Sequence, residues 1–172
     1  MKKIFTCFCL GLIIISGCSS GKQKGLEYFN DCESIKGWEP VGFARLPVHS
    51  GFFSNKLDSI HMYGVTFRLA FKDISPDSIK KVKVSLWVFF NEKSKATLVM
   101  ELKNKLESGL SWTGIKLEDK VKEIGKWQKV TVEFPIDGNS AKPDNFIWIY
   151  PWDNDKKDVY IDDIDIEFIT KP

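Results

Sequence analysis

The stretch that most constrains this chain is its last, Asp158–Thr170, which reads DVYIDDIDIEFIT. Strand side chains alternate between two faces with a period of two. That period puts Tyr160, Ile164, Ile166 and Phe168 on one face and Asp163, Asp165 and Glu167 on the other. The first set needs a core and the second needs water, which is the signature of a strand buried on one side. Asp162 falls in register with the apolar set. An inward carboxylate is costly unless it is hydrogen-bonded, ion-paired or bound to a metal. A strand that closes the chain must also be tied into a sheet built by earlier segments.

Those segments are readable. Lys81–Phe90 alternates with Val82, Val84, Leu86, Val88 and Phe90 on one face and Lys83, Ser85, Trp87 and Phe89 on the other. Ala96–Leu102 puts Ala96, Leu98, Met100 and Leu102 inward, and Trp127–Phe134 does the same with Val130, Val132 and Phe134. Leu26–Asn30, Asn55–His61, Gly64–Phe71, Ser111–Leu117 and Asn145–Trp152 are further strands, and Val41–Ser50 reads as irregular. No stretch sustains a helical period. Many short strands parted by turn signals predict an all-β fold, a two-sheet antiparallel β-sandwich of jelly-roll type.

The chain opens with Lys2 and Lys3, an apolar run Ile4–Ile15, small residues Ser16 and Gly17, and then Cys18. This is a secretory signal, too short to span a bilayer as a helix. Its Ile15-Ser16-Gly17-Cys18 end resembles a bacterial lipobox, in which the cysteine becomes the lipid-modified first residue. Residues 1–17 are then a signal peptide, 18–25 a flexible tether from lipidated Cys18, and 26–172 one domain. The expected location is the cell envelope, as an outer-membrane lipoprotein facing the periplasm or the cell surface. The acyl chains are the membrane contact, so the folded part need not touch lipid. Removing residues 1–17 leaves 23 basic and 23 acidic residues, a neutral chain without the basic footprint that a nucleic-acid partner requires. Cys32 is left as a single thiol, and no Cys/His cluster remains for zinc.

Four motifs in order carry a resemblance. They are Asn30–Glu33 with Gly37-Trp38, His49-Ser50-Gly51 followed by Asn55–Asp58, Gly125-Lys126-Trp127 with Val130–Phe134, and Val159–Ile166. Together they resemble jelly-roll carbohydrate-binding modules with a galactose-binding-like fold, from about Leu26 to Phe168. Cys32 departs from the pattern, because those modules usually carry an aromatic there. The resemblance implies one structural calcium ion between the N-terminal segment, an early turn and the last strand. By position it nominates Glu33 and Asp162, with Asp31 nearby and carbonyls around Ser50–Lys56. Calcium takes about six to eight oxygens and would fix loops here, without doing chemistry. The other way to satisfy Asp162 is through backbone N–H groups or pairing with Arg68 or a lysine.

Sugar rings present flat C–H faces that pack on aromatic rings, while amides and acids bind the hydroxyls. Trp87 and Phe89 take the non-core phase of their strand, Phe146, Trp148, Tyr150 and Trp152 share one phase, and Trp112 starts a strand. Trp38 and Trp127 are assigned to the core. Trp87, Trp112 and Trp152 are the residues expected to contact ligand. Catalysis is not expected: Asp162 and Asp163 are adjacent on a strand and point to opposite faces, and no G-x-S-x-G, H-E-x-x-H or glycine-rich phosphate loop occurs. His49 and His61 read as structural hydrogen-bonders. The expectation is a lipid-anchored protein that binds an oligo- or polysaccharide without turnover. The alternative is a structural or protein-interaction lipoprotein that uses the same fold as a docking surface.

Overall fold

The computed structural model describes residues 26–34, 38–39, 41–75 and 77–170. Its strands are β1 (Glu27–Asn30), β2 (Trp38–Glu39), β3 (Phe43–Ala44), β4 (Ser54–Leu57), β5 (Thr66–Ala70), β6 (Ile79–Phe90), β7 (Thr97–Lys103), β8 (Gly109–Lys116), β9 (Trp127–Pro135), β10 (Phe146–Trp152) and β11 (Val159–Thr170). Helical content is one turn at Phe71–Ile74 and a 3-10 turn at Leu117–Asp119. Two antiparallel sheets form a sandwich. One runs β3-β4-β11-β6-β9, with β1 also on β11; the other runs β2-β5-β10-β7-β8.

The inward faces match the sequence pattern where the period is strict. Val82, Val84, Leu86, Val88 and Phe90 of β6 are buried, and Leu98, Met100 and Leu102 of β7 meet them from the other sheet together with Ile147 and Ile149 of β10. Burial of each such side chain contributes about 1.5–3 kcal/mol, so this interdigitated layer is the main cohesive element.

The last strand departs from the expected phase. Val159 and Ile161 point into the core opposite Phe90 and Val88, whereas Tyr160 and Asp162 point to the outer face opposite Phe89 and Trp87. Pairing then passes from Asp162↔Trp87 to Asp165↔Ser85, so β11 carries one extra residue, a β-bulge. Beyond it Ile164, Ile166 and Phe168 point inward. Asp163 stands at the bulge with φ of 46°, a left-handed conformation that Asp tolerates better than most residues. Asp162 is therefore not a core carboxylate. It is fully covered on the outer face by the loop between β3 and β4. Its Oδ2 accepts from the His49 and Ser50 N–H groups at 2.9 and 3.3 Å, and its Oδ1 from Asp163 N–H at 2.9 Å. Burial pushes the Asp162 carboxyl up, and the three amide donors oppose that shift.

Asp162→Ala would strip three amides of their acceptor without opening the core. The expected cost is about 3 kcal/mol, which for a domain of this size lowers Tm by roughly 6–12 °C. Thermal unfolding of the variant beside the wild type measures it.

Candidate functional site

β10 is the centre of the five-stranded sheet. Its alternation sends Ile147 and Ile149 into the core and leaves Phe146, Trp148, Tyr150 and Trp152 on the outer face. Register sets Trp148 beside Arg68 of β5 on one side and Glu101 of β7 on the other. β8 then places Trp112 opposite Glu101. An isolated bridge from Tyr63 to Trp152 extends this wall past the end of β10. The result is a groove of about 300 Å³ lined by Val41, Tyr63, Thr66, Trp148 and Tyr150, with Glu39, Glu101 and Lys103 at its sides.

The aromatic rings differ in availability. Trp112 and Trp152 meet edge to face, centroids 6.1 Å apart at 89°. Trp112 is 53% exposed and Tyr63 52%; Tyr63 lines the groove and Trp112 stands beside it, opposite Glu101. The Trp112 ring lies over Gly114: a Cβ built on that glycine would stand 2.5 Å from Trp112 Cη2 and 2.8 Å from Thr97 Cγ2. Glycine at 114 is thus what lets the indole settle along the sheet. Trp148 is covered by charge instead, with Lys103 Nζ 3.6 Å and Arg68 Cζ 4.8 Å from its ring.

Those cations are themselves paired. Arg68 meets Glu39 at 3.5 Å and also Glu107, and Lys103 meets Glu101 at 3.6 Å. Tyr150 OH donates to Glu101 Oε2 at 3.2 Å. Burial, reinforced by the Glu101 charge, pushes the Tyr150 hydroxyl up to about 12, so it remains a donor at neutral pH. Chemically the groove offers aromatic surface for a flat apolar ring face, flanked by carboxylates, an ammonium and a phenol that can bind hydroxyl groups.

The structure brings Trp112 and Trp152 together and sets Trp87 apart. Trp87 lies on the outer face of the six-stranded sheet, with His49 stacked on it at 3.7 Å and 17°. The whole sandwich separates it from the groove, so the three tryptophans form no single platform. Trp127, expected in the core, is half-buried on that same outer face, 5.6 Å from Phe89. The sequence phase had grouped Trp148 and Tyr150 with Trp152 without marking them as groove residues. Tyr63, Arg68, Glu101 and Lys103 carried no local signal. His49 Nδ1 and Ser50 Oγ both bond Asp163, at 2.6 and 2.8 Å, which holds a turn and leaves Ser50 without a histidine base.

The residues nominated for calcium bind amides. Glu33 Oε1 accepts from Phe52 and Phe53 N–H at 2.6 and 2.8 Å, and Asp162 uses both oxygens as described. Asp31 caps Glu33 N–H at 3.1 Å. Among the described residues no group of three or more His, Cys, Asp or Glu side chains is arranged to hold a metal. In this arrangement Glu33 Oε1 and both Asp162 oxygens are engaged by backbone amides. Cys18, the signal peptide and the tether lie outside the described residues. No helix among the described residues is long and apolar enough to cross a membrane.

One buried acid adjoins the groove. Asp153 follows Trp152, is fully covered, and accepts from Asp155 and Lys157 N–H at 3.1 and 3.0 Å. Burial, with the Asp155 carboxyl hydrogen-bonded to it, pushes Asp153 up to about 6. Asp155 in turn accepts from Lys95 N–H at 3.0 Å and Ser94 Oγ at 3.3 Å, tying this turn to the β6–β7 hairpin.

No protein-family model matches the chain, and no curated protein matches it in sequence. Solved structures match it in fold. The C-terminal family 22 carbohydrate binding module of Clostridium thermocellum Xyn10B superposes with a TM-score of 0.50 at 16% identity, over 84% of this chain and 94% of that one. The CBM22-1 xylan-binding domain of Paenibacillus barcinonensis Xyn10C gives 0.52 at 13%, over 84% and 95%. The CBM22-2 domain of the same protein gives 0.51 at 14%, over 83% and 98%. The chain has the jelly-roll sandwich fold of carbohydrate-binding modules, as its motifs had implied.

Two outcomes follow from the buried acids. Because amides already engage the nominated carboxylates, EDTA is expected to leave Tm unchanged; a rise of several degrees on adding calcium would instead support the structural ion that the motifs imply. For Asp153 the folded value lies above the unfolded one near 4. Its stabilising contribution is therefore fully present below about pH 4 and lost as pH climbs through about 6. The loss is on the order of 2 kcal/mol, and Asp153→Asn is expected to remove that part of the Tm–pH profile.

Proposed function

We propose that this chain is a lipid-anchored protein of the bacterial cell envelope, held in the outer membrane through Cys18, and that it binds a polysaccharide without turning it over. The observation that carries the reading is the groove on the five-stranded sheet. Open aromatic surface at Trp112 and Tyr63 adjoins fixed hydrogen-bonding groups at Glu39, Glu101, Lys103 and Tyr150. The likeness to xylan-binding domains supports a plant-type glycan as the first ligand to try. The absence of turnover is supported by how the groove carboxylates are held: Glu101 by Tyr150 and Lys103, and Glu39 by Arg68. Each carboxylate accepts from these neighbours, an arrangement suited to holding ligand hydroxyl groups. Single-site affinity is weak for such stacking contacts and is offset by display of many anchored copies.

Affinity electrophoresis in gels containing xylan, mixed-linkage glucan, mannan or pectin tests this. Trp112→Ala is expected to weaken retardation by about tenfold, which is about 1.4 kcal/mol. Trp87→Ala, on the other sheet, is expected to leave it within a factor of about two. A folded wild type that no polysaccharide retards would overturn the reading in favour of a protein partner.

A further inference from the structure

The β3–β4 loop is held more firmly than its irregular sequence implies, and it displays apolar side chains outward. Asp162 binds the amides of His49 and Ser50, Asp163 binds both their side chains, and Glu33 binds the amides of Phe52 and Phe53. Gly51, with φ of 61°, makes the turn between them. Phe53 is occupied by Arg45, whose Cζ stands 4.8 Å over its ring. Phe52 is left 73% exposed and Leu46 80%. With their loop pinned by three carboxylates, neither can tuck inward at small cost. Phe29 of β1, 61% exposed, lies on the same outer face beside Asp165, two residues from the bulge.

The chain reaches this edge from the tether. Phe168 N–H bonds Leu26 O at 2.8 Å, fixing the start of the domain at the far end of β11, and β1 leads from there to Glu33. Cys18–Gly25 spans at most about 28 Å, and Leu26–Glu33 at most about 27 Å. Phe29 and Phe52 are thus within the distance that the anchor allows. The groove lies on the outer face of the opposite sheet.

We infer that the edge bearing Phe29, Leu46 and Phe52 rests on the lipid surface to which Cys18 is anchored, turning the glycan groove away from the membrane. This rests on the anchor in the proposed function. The anchor confines the domain to a thin layer above the lipid, where burial of a few apolar side chains suffices to set orientation. The exposed Arg45 beside them suits headgroup phosphate. Of the acids at this edge, Asp162 and Glu33 bind the loop's amides, while Asp165 beside Phe29 is exposed and is the local charge opposite in sign to Arg45.

The test uses the mature, acylated chain in vesicles of phosphatidylethanolamine with a minor fraction of phosphatidylglycerol. Phe52→Cys carries an environment-sensitive dye; Cys32 is 2% exposed and does not compete for label. Leu110→Cys, on the groove side, is the comparison. Flotation with the vesicles reads the anchor alone. The expected result is a blue shift and an iodide quenching constant about threefold lower or more at position 52, with water-like values at 110. A chain that floats with a water-like signal at 52 overturns the orientation and leaves the anchor standing. A chain that does not float removes both. Equal shielding at 52 in the unacylated Cys18→Ser chain, without vesicles, would make this face an interface between copies and overturn the lipid contact.

Discussion

A single inserted residue in β11 sets the geometry of the molecule. Ile161 and Ile164 are three apart, so a strand of strict period two cannot bury both. The bulge at Asp162–Asp163 resolves this, and each half of β11 keeps its apolar side on the core. It also divides the edge, with β4 pairing along Val159–Ile161 and β1 along Ile164–Glu167. The two aspartates at the discontinuity then become acceptors for the loop that β3 and β4 enclose. Strand phase, edge pairing and loop position are settled together, which is how bulges commonly act.

The two outer faces are used differently. On the six-stranded sheet, charge ladders such as Lys81–Glu133 and Lys83–Glu167 run into an aromatic layer that His49 caps. On the five-stranded sheet the aromatics remain partly open and the charges are drawn into pairs around them. A groove whose cations already have partners presents hydrogen-bonding groups at fixed positions and little net field. Such a surface suits hydroxyl-rich ligands better than polyanions.

The sequence made some of this legible and hid the rest for identifiable reasons. Alternation along Val82–Phe90, Leu98–Leu102 and Val130–Phe134 is regular, and their core-facing residues were read one by one, although Ser85, Thr97 and Val99 are also buried on the opposite face. Alternation reports which side of a strand faces the core but not which sheet the strand joins. Trp87 and Trp112 therefore looked equivalent, although β6 and β8 belong to opposite sheets. Trp127 was assigned to the core, yet it shares the outward phase of Lys129 and Thr131 and pairs with Phe89. The bulge was invisible because its extra residue is one more acid in a run of acids, and Asp162 was read one phase out. β2 and β3 are two residues long and carry no period. Tyr63 joins the groove through one bridge across distant chain, which no local pattern encodes.

β8 is bonded to one neighbour only, and most of its residues are exposed. Strands with a single partner and little burial open locally at a fraction of the cost of global unfolding. Trp112 therefore stands on an exposed edge ribbon of the sandwich, while β10 beneath the groove is bonded on both sides. Ligand seated across both would couple a pliant rim to a rigid floor. Part of the contact energy would go into quieting β8, and the melting of the core would report little of what happens at the binding face.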